Sequence, residues 1–270
     1  IFTQIKTARR MKWYKLVARM SHASFRFLKK LTLFLDALFS GFWLGIMGRK
    51  SLVYSDELYH SCAPSYSDEK YNESGFFDWE KPYIEKYFCD AKNVLLIAAG
   101  GGREVIALSK MGIKVDGYEC NLRLVEFGNS LLKKHDINSS IKYLVRNSVP
   151  DDIKQYDGII IGWGAYSLIR GHETRIGFLN SLKPFFKPET LLMASFVYST
   201  RRRREDKIIK KIADFLSFFH KKDRTEIGDR LVPYFIHYFS EDEIKSEFAQ
   251  AGLDVIDYSG AGYGCLIARC

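Results

Sequence analysis

The chain has 270 residues, 47% hydrophobic and 15% aromatic, which is material for one full α/β core with an extension or for two small domains. Its formal charge of +9 is local: residues 1–50 carry eleven Lys/Arg against Asp36, a net +10, while residues 51–270 hold 30 basic and 31 acidic residues. A nucleic-acid enzyme would spread its basic surface around the active cleft, so nucleic acid is not the expected partner.

The five cysteines are scattered, with no CxxC and no His/Cys spacing for zinc, so free thiols in a reducing cytoplasm and no metal site are expected. No secretory signal is expected either, because the first apolar stretch follows a long basic segment.

Residues 1–50 read as a basic, amphipathic helical arm. Trp13, Leu16, Val17, Met20, Phe27, Leu28, Leu31, Phe34, Leu35, Leu38 and Phe42 recur at three- and four-residue steps, and Lys12, Lys15, Arg19, Arg26 and Lys29 fall off that stripe. The apolar stretch 31–47 is short of the about 20 residues that span a bilayer, and it contains Asp36. The arm therefore has two readings. Either it packs on the catalytic body or, in a homodimer, on a second subunit, or it lies in the plane of an anionic membrane surface. Residues 51–92, with Tyr54, Tyr59, Tyr66, Tyr71, Phe76, Phe77 and Trp79, read as an aromatic linker or lid ending in a helix near 79–88.

From Asn93 short apolar runs alternate with helical stretches, the pattern of βαβ units and a parallel sheet. Strands are expected near 93–98, 114–119, 141–145, 157–162, 190–197, 253–258 and 264–268. Together they predict one α/β, Rossmann-like, seven-stranded domain over 93–270 with helices on both faces. An insertion at 199–235 opens with Arg201 to Arg204 and carries Ile208, Ile212, Phe215, Leu216 and Phe219 at helical spacing; it is expected to cover a substrate pocket. The arginines read as a solvated helix start or as guanidinium forks for an acidic acceptor.

The chemistry concentrates where strand Asn93–Ala98 runs into Gly100, Gly101 and Gly102 and then a helix. Glycines there allow close backbone approach to a ligand, and the helix N-terminus offers unpaired N–H groups. The next strand ends in Glu119, a carboxylate placed to take the two hydroxyls of a ribose. Val105 stands where a dinucleotide fingerprint has its third glycine, which counts against a pyrophosphate.

These motifs, over roughly residues 75–268, resemble the class I S-adenosylmethionine-dependent methyltransferase family. The resemblance implies that Ala98 to Gly102 lie beside the methionine part of the cofactor, that Glu119 holds the ribose, and that Cys120 lies near the adenine. It places Asn147 and Ser148 beside the adenine amine and Gly162 and Trp163 at the end of the fourth strand, between cofactor and acceptor. It also implies that the last strand runs antiparallel. Tyr71 is expected as a lid contact.

Two departures accompany the resemblance: Leu96 and Ile97 stand where many members have an acid, and Ala98 replaces a common glycine. The implied activity is methyl transfer to a small-molecule or natural-product acceptor. The alternatives are a peripheral membrane enzyme acting on a lipid headgroup or lipid-linked acceptor, and a catalytically silent scaffold. Tyr166, His172 and His237, on loops at the carboxyl ends of the strands, are the candidates for a general base, needed only if the acceptor is protonated or weakly acidic.

Overall fold

The computed structural model describes residues 2–47, 52, 64–200, 204–218, 224–231, 233–261 and 263–270. Tyr54, Tyr59, Arg201 to Arg203 and Phe219 lie outside the described residues.

Seven strands form one sheet: β1 (Asn93–Ile97), β2 (Lys114–Glu119), β3 (Ser140–Tyr143), β4 (Tyr156–Ile161), β5 (Phe186–Phe196), β8 (Asp254–Ser259) and β9 (Gly264–Arg269). Their order is β3-β2-β1-β4-β5-β9-β8, parallel except for β9, which runs antiparallel to both β5 and β8. The central strands β1, β4 and β9 and the second half of β5 are near-continuous apolar runs because both faces are covered, while the outer strands β3 and β8 carry more polar residues and are more exposed. Leu95, Ile97, Ile159 and Ile161 pack on one face with α6 (His172–Leu182) and α8 (Glu241–Gln250). Val94, Leu96, Val115 and Ile160 pack on the other with α3 (Lys81–Tyr87), α4 (Arg103–Lys110) and α5 (Leu122–Lys134).

The sheet reverses its strand order between β1 and β4, and in an open α/β sheet the crevice outside the carboxyl ends at that point is the ligand site. A short helix α2 (Glu69–Glu73), preceded by a 3-10 turn at Pro64–Ser67, lies over it.

The arm is a single helix, α1 (Phe2–Ile46). Among the described residues its C-terminal part is what packs on the body, on α7 (Arg204–Phe218) and on β6 (Asp229–Leu231), which pairs antiparallel with β7 (Phe235–His237) in a separate two-stranded ribbon. The contact is made by Ala37, Ser40, Gly41, Leu44 and Gly45. A Cβ on Gly41 would stand 2.9 Å from the Ile209 carbonyl oxygen, and one on Gly45 would stand 2.7 Å from Leu216 Cβ. Ser40 Oγ donates to the Leu231 carbonyl at 3.2 Å. Arg170 closes the end of α1, donating to the carbonyls of Met47 at 2.8 Å and Leu44 at 3.2 Å. A guanidinium there satisfies terminal carbonyls and meets the negative end of the helix dipole.

The arm packs on the body, as one of its two readings has it, and the insertion departs from its expectation. The arm holds the body through small residues, not through its apolar stripe, whose Phe34, Leu35, Leu38 and Phe42 remain exposed. No described residue of the insertion lines the crevice, and its helix is taken up by α1, with Ile209 and Ala213 buried against Ala37 and Leu44.

Candidate active site

The crevice at the carboxyl ends of β1, β2 and β4 is partly open, with mostly apolar walls and a few polar groups, as small-molecule sites have. Of the residues singled out in the sequence, Ala98, Gly100, Glu119, Cys120, Asn147, Ser148 and Trp163 line it. Gly101, Gly102 and Gly162 are buried behind that wall.

Among the described residues, Glu119 is the only acid in the lining. Its carboxylate is buried at the end of β2 and accepts hydrogen bonds from the backbone N–H of Gly100 and of Asn121, each at 2.9 Å. It thereby ties the glycine loop to β2 while each oxygen keeps acceptor capacity for a further donor.

The loop itself is tightly built. A Cβ on Gly162 would lie 2.3 Å from the Ala98 carbonyl oxygen, and one on Gly101 would lie 2.2 Å from the Tyr66 carbonyl oxygen; no side chain fits at either place. Ala98 adopts φ +61, a left-handed conformation that costs a non-glycine residue about 1 kcal/mol. The loop geometry therefore demands what glycine supplies freely. Ala98→Gly is expected to raise stability by about 1 kcal/mol, a few degrees in Tm, as read by thermal unfolding; a lower Tm would refute the strain.

The segment 64–80 is clamped onto this loop. Buried Asn72 donates to the carbonyls of Tyr66 at 3.1 Å and Asp68 at 2.8 Å. Arg103, at the start of α4, donates to the Gly75 carbonyl at 2.8 Å, to Glu80 at 2.9 Å and to Glu104 at 2.5 Å, and lies 3.9 Å from the Phe77 ring centre. The expected lid contact is corrected: Tyr66 reaches the crevice, whereas Tyr71 packs behind it, its ring 6.0 Å from Tyr66 and 6.3 Å from Phe77. Burial pushes the Tyr71 phenol up to about 12.

Trp163 joins three parts of the chain, with ring centres 5.2 Å from Phe77, 5.4 Å from Tyr263 and 6.4 Å from Tyr66. Its indole Nε1 is buried without a hydrogen-bond partner, a state that costs about 1–3 kcal/mol unless a bound group accepts from it.

Across the crevice, Leu124, Leu144, Ile161, Leu168, Ile169 and Phe178 supply apolar wall, and Arg146 is the one cation of the lining. Burial lowers the Arg146 guanidinium to about 10, and its Nη2 donates to the Leu168 carbonyl at 2.5 Å. Asn147 stands at φ +58, and the Ser148 hydroxyl donates to the Val145 carbonyl, closing the turn after β3. Sequence reasoning missed Tyr118, Arg146 and Phe178; of these, Arg146 stood next to Asn147 in the same motif.

The three proposed bases are not in the crevice, and each is corrected. Tyr166 is fully buried and donates to Glu247 at 2.8 Å. Burial, and then the Glu247 charge, push its phenol well above the ordinary value. His172 starts α6, with Nδ1 2.9 Å from Glu247 and Nε2 3.3 Å from Gln250. His237 is fully buried, with Nδ1 2.6 Å from Asp229 and Nε2 3.1 Å from Glu243. Burial opposes its charge, yet the hydrogen bonds to Asp229 and Glu243 outweigh burial and raise it to about 9. A cationic imidazole with both nitrogens engaged accepts no proton.

All three belong to one ionic core around Arg175, which is itself wholly buried. Arg175 contacts Glu247 through Nε at 2.9 Å and Nη2 at 2.6 Å, Glu226 at 2.7 Å, and the Ile169 carbonyl at 3.2 Å. Among the described residues, Glu226, His237 and Glu243 bring donor atoms within 4.8 Å of one another. The imidazole contacts above account for that grouping as an ion-pair core.

No family model matches the sequence, and neither does any curated protein. Solved structures do match. A SAM-dependent methyltransferase from Methanosarcina mazei superposes with TM-score 0.56 over 72% of this chain and 97% of its own, at 16% identity. The CcbJ methyltransferase from Streptomyces caelestis gives 0.54 over 70% and 87%, at 11% identity. The glycopeptide N-methyltransferase MtfA, solved with S-adenosyl-L-methionine, gives 0.51 over 72% and 90%, at 16% identity. The shared architecture is the Rossmann-like class I methyltransferase fold, with its antiparallel last strand.

Proposed function

We propose that the chain is an S-adenosylmethionine-dependent methyltransferase acting on a small-molecule acceptor. The observation that carries this reading is Glu119, the single acid among the described residues of the crevice lining, fixed against the glycine loop at the switch point of the sheet.

The residues present fit the cofactor. Glu119 offers carboxylate lone pairs to the ribose hydroxyls, and Leu124 and Leu144 offer apolar wall to the adenine. Ala98 and Gly100 bring bare backbone to the methionine part, and the orphaned Trp163 N–H supplies a donor. When bound, the cofactor supplies a methyl group on a sulfonium, open to in-line displacement. The chain's part in that reaction is to hold the acceptor in line and exclude water. The aromatic cluster of Tyr66, Phe77, Trp163 and Tyr263 suits both tasks at one end of the crevice.

With the three candidates withdrawn, no histidine among the described residues lines the crevice. The small-molecule assignment draws support from the apolar walls of the crevice, and from neighbours of this fold that are methyltransferases by name.

A silent scaffold is the second reading, favoured by Leu96 and Ile97 where an acid is common in the family. Calorimetric titration with S-adenosylmethionine and S-adenosylhomocysteine, with NADH as control, separates the two. Micromolar binding of the first two alone is expected; no binding of either would favour the scaffold.

A further inference from the structure

The body leaves the apolar stripe of α1 uncovered along its whole length. Trp13 is 62% exposed, Met20 61%, Phe27 65% and Leu28 59%. The stripe continues through Leu35, Leu38 and Phe42, turned away from the contact that Ala37, Ser40, Gly41 and Leu44 make with α7. At 100° per residue, Lys15, Arg19, Arg26 and Lys30 prolong the line of that contact face, out beyond α7, and all four are exposed. The helix thus carries an apolar side from Trp13 to Phe42, interrupted at Ser24, and a basic side flanking it. A stripe of this length far exceeds the few hundred Å² of contiguous apolar surface usual on a soluble monomer, which marks an interaction surface.

We propose that α1 docks in the plane of an anionic membrane surface, its stripe entering the acyl boundary and its Lys/Arg meeting headgroup phosphates. Charge decides the occupant. Residues 1–50 hold eleven Lys/Arg and one acid, so a negative surface is the complement. A second copy would set two arms of the same sign side by side. The stripe is also broader than a helix-pair seam: Leu28, Leu35 and Phe42 fill flanking positions where paired helices carry complementary charges. Depth is limited to the interface, since no helix among the described residues is long and apolar enough to cross a membrane. The body does not obstruct docking, because it holds α1 by another side.

The proposal stands independently of the methyl-transfer reading. Its test is flotation of the full chain with vesicles of phosphatidylcholine, with and without phosphatidylserine, at low and high salt. Recovery with the anionic vesicles alone, falling at high salt, is the expected result. Each basic residue near such a surface adds about fivefold to partitioning. Replacing Lys15, Arg19 and Arg26 together by Gln is therefore expected to lower recovery by about a hundredfold in partition constant. Phe27→Ser with Leu31→Ser should abolish flotation. Both sets lie at exposed positions, so cofactor titration of the same proteins should be unchanged, which separates failure here from failure of the active-site assignment. Equal recovery from neutral and anionic vesicles, or none from either, would overturn the proposal. A dimeric mass lost in Phe27→Ser with Leu31→Ser would instead give the stripe to a second copy.

Discussion

Glu119→Gln is expected to weaken S-adenosylmethionine binding by about a hundredfold. The side chain keeps its volume but loses its charge, and a hydrogen bond to a charged group is worth about 1.5–3 kcal/mol, or about tenfold to 150-fold. A second penalty follows from the loop. Both carboxylate oxygens accept backbone N–H groups, from Gly100 and Asn121, and the amide nitrogen of Gln must face one of those donors. Either the glycine loop shifts or one N–H is left unpaired. Calorimetric titration measures the loss, with circular dichroism as a check on folding. An unchanged Kd in a folded variant would remove Glu119 from the site and, with it, the main support for the cofactor assignment.

Arg175→Met is expected to cost about 3–5 kcal/mol of stability, because it strands buried Glu247 without its cation. Glu226 loses the same partner, though it is partly exposed. At about 2–4 °C per kcal/mol for a domain of this size, Tm should fall by roughly 10 °C or more. Replacing Glu247 by Leu in the same protein should recover part of the loss, since an apolar pair of similar volume no longer buries an unpaired charge. The variant also tests the correction made to the proposed bases. If the core of Tyr166, His172, Arg175 and His237 is structural, the folded fraction at low temperature binds cofactor with an unchanged Kd. A Kd that rises together with the stability loss in Arg175→Met, and stays raised when Glu247→Leu restores Tm, would return this cluster to the site.

The sheet was legible because its physics is local. A strand buried on both faces must be an apolar run, and the central strands β1, β4 and β9 announce themselves this way, while the mixed outer strands β3 and β8 were found from their place in the βα alternation and the antiparallel last one was implied by resemblance. The ends of the strands near the glycine loop were equally legible, since a close backbone approach requires glycine and Glu119 closes the second strand. Ala98 shows the limit: its substitution for glycine is visible in the sequence, but its left-handed backbone is visible only in three dimensions.

The bases were misplaced because residue type and loop position do not fix direction. After Gly164, at φ +67, the 3-10 turn Ala165–Leu168 leaves Ala165 and Leu168 on the crevice wall and buries Tyr166 and Ser167. Nothing in a four-residue turn of the sequence distinguishes those two pairs. The ribbon β6–β7 escaped notice because three-residue strands carry too little periodicity. For α1, periodicity located the stripe but not the side taken by the body. The signal for that was present in Ala37, Ser40, Gly41 and Gly45, small residues spaced for close helix approach, and was masked by the bulk around them.

Arg170 gives the arm a mechanical consequence. Helix α1 is 45 residues long, about 67 Å at 1.5 Å per residue, and is gripped only near one end. The grip includes two hydrogen bonds from a residue that directly follows Leu168 and Ile169 on the crevice wall. A rod held in this way is a lever with a short inner arm. A sideways load of given size at the free tip turns about the α7 contact and arrives, multiplied, at the loop after β4.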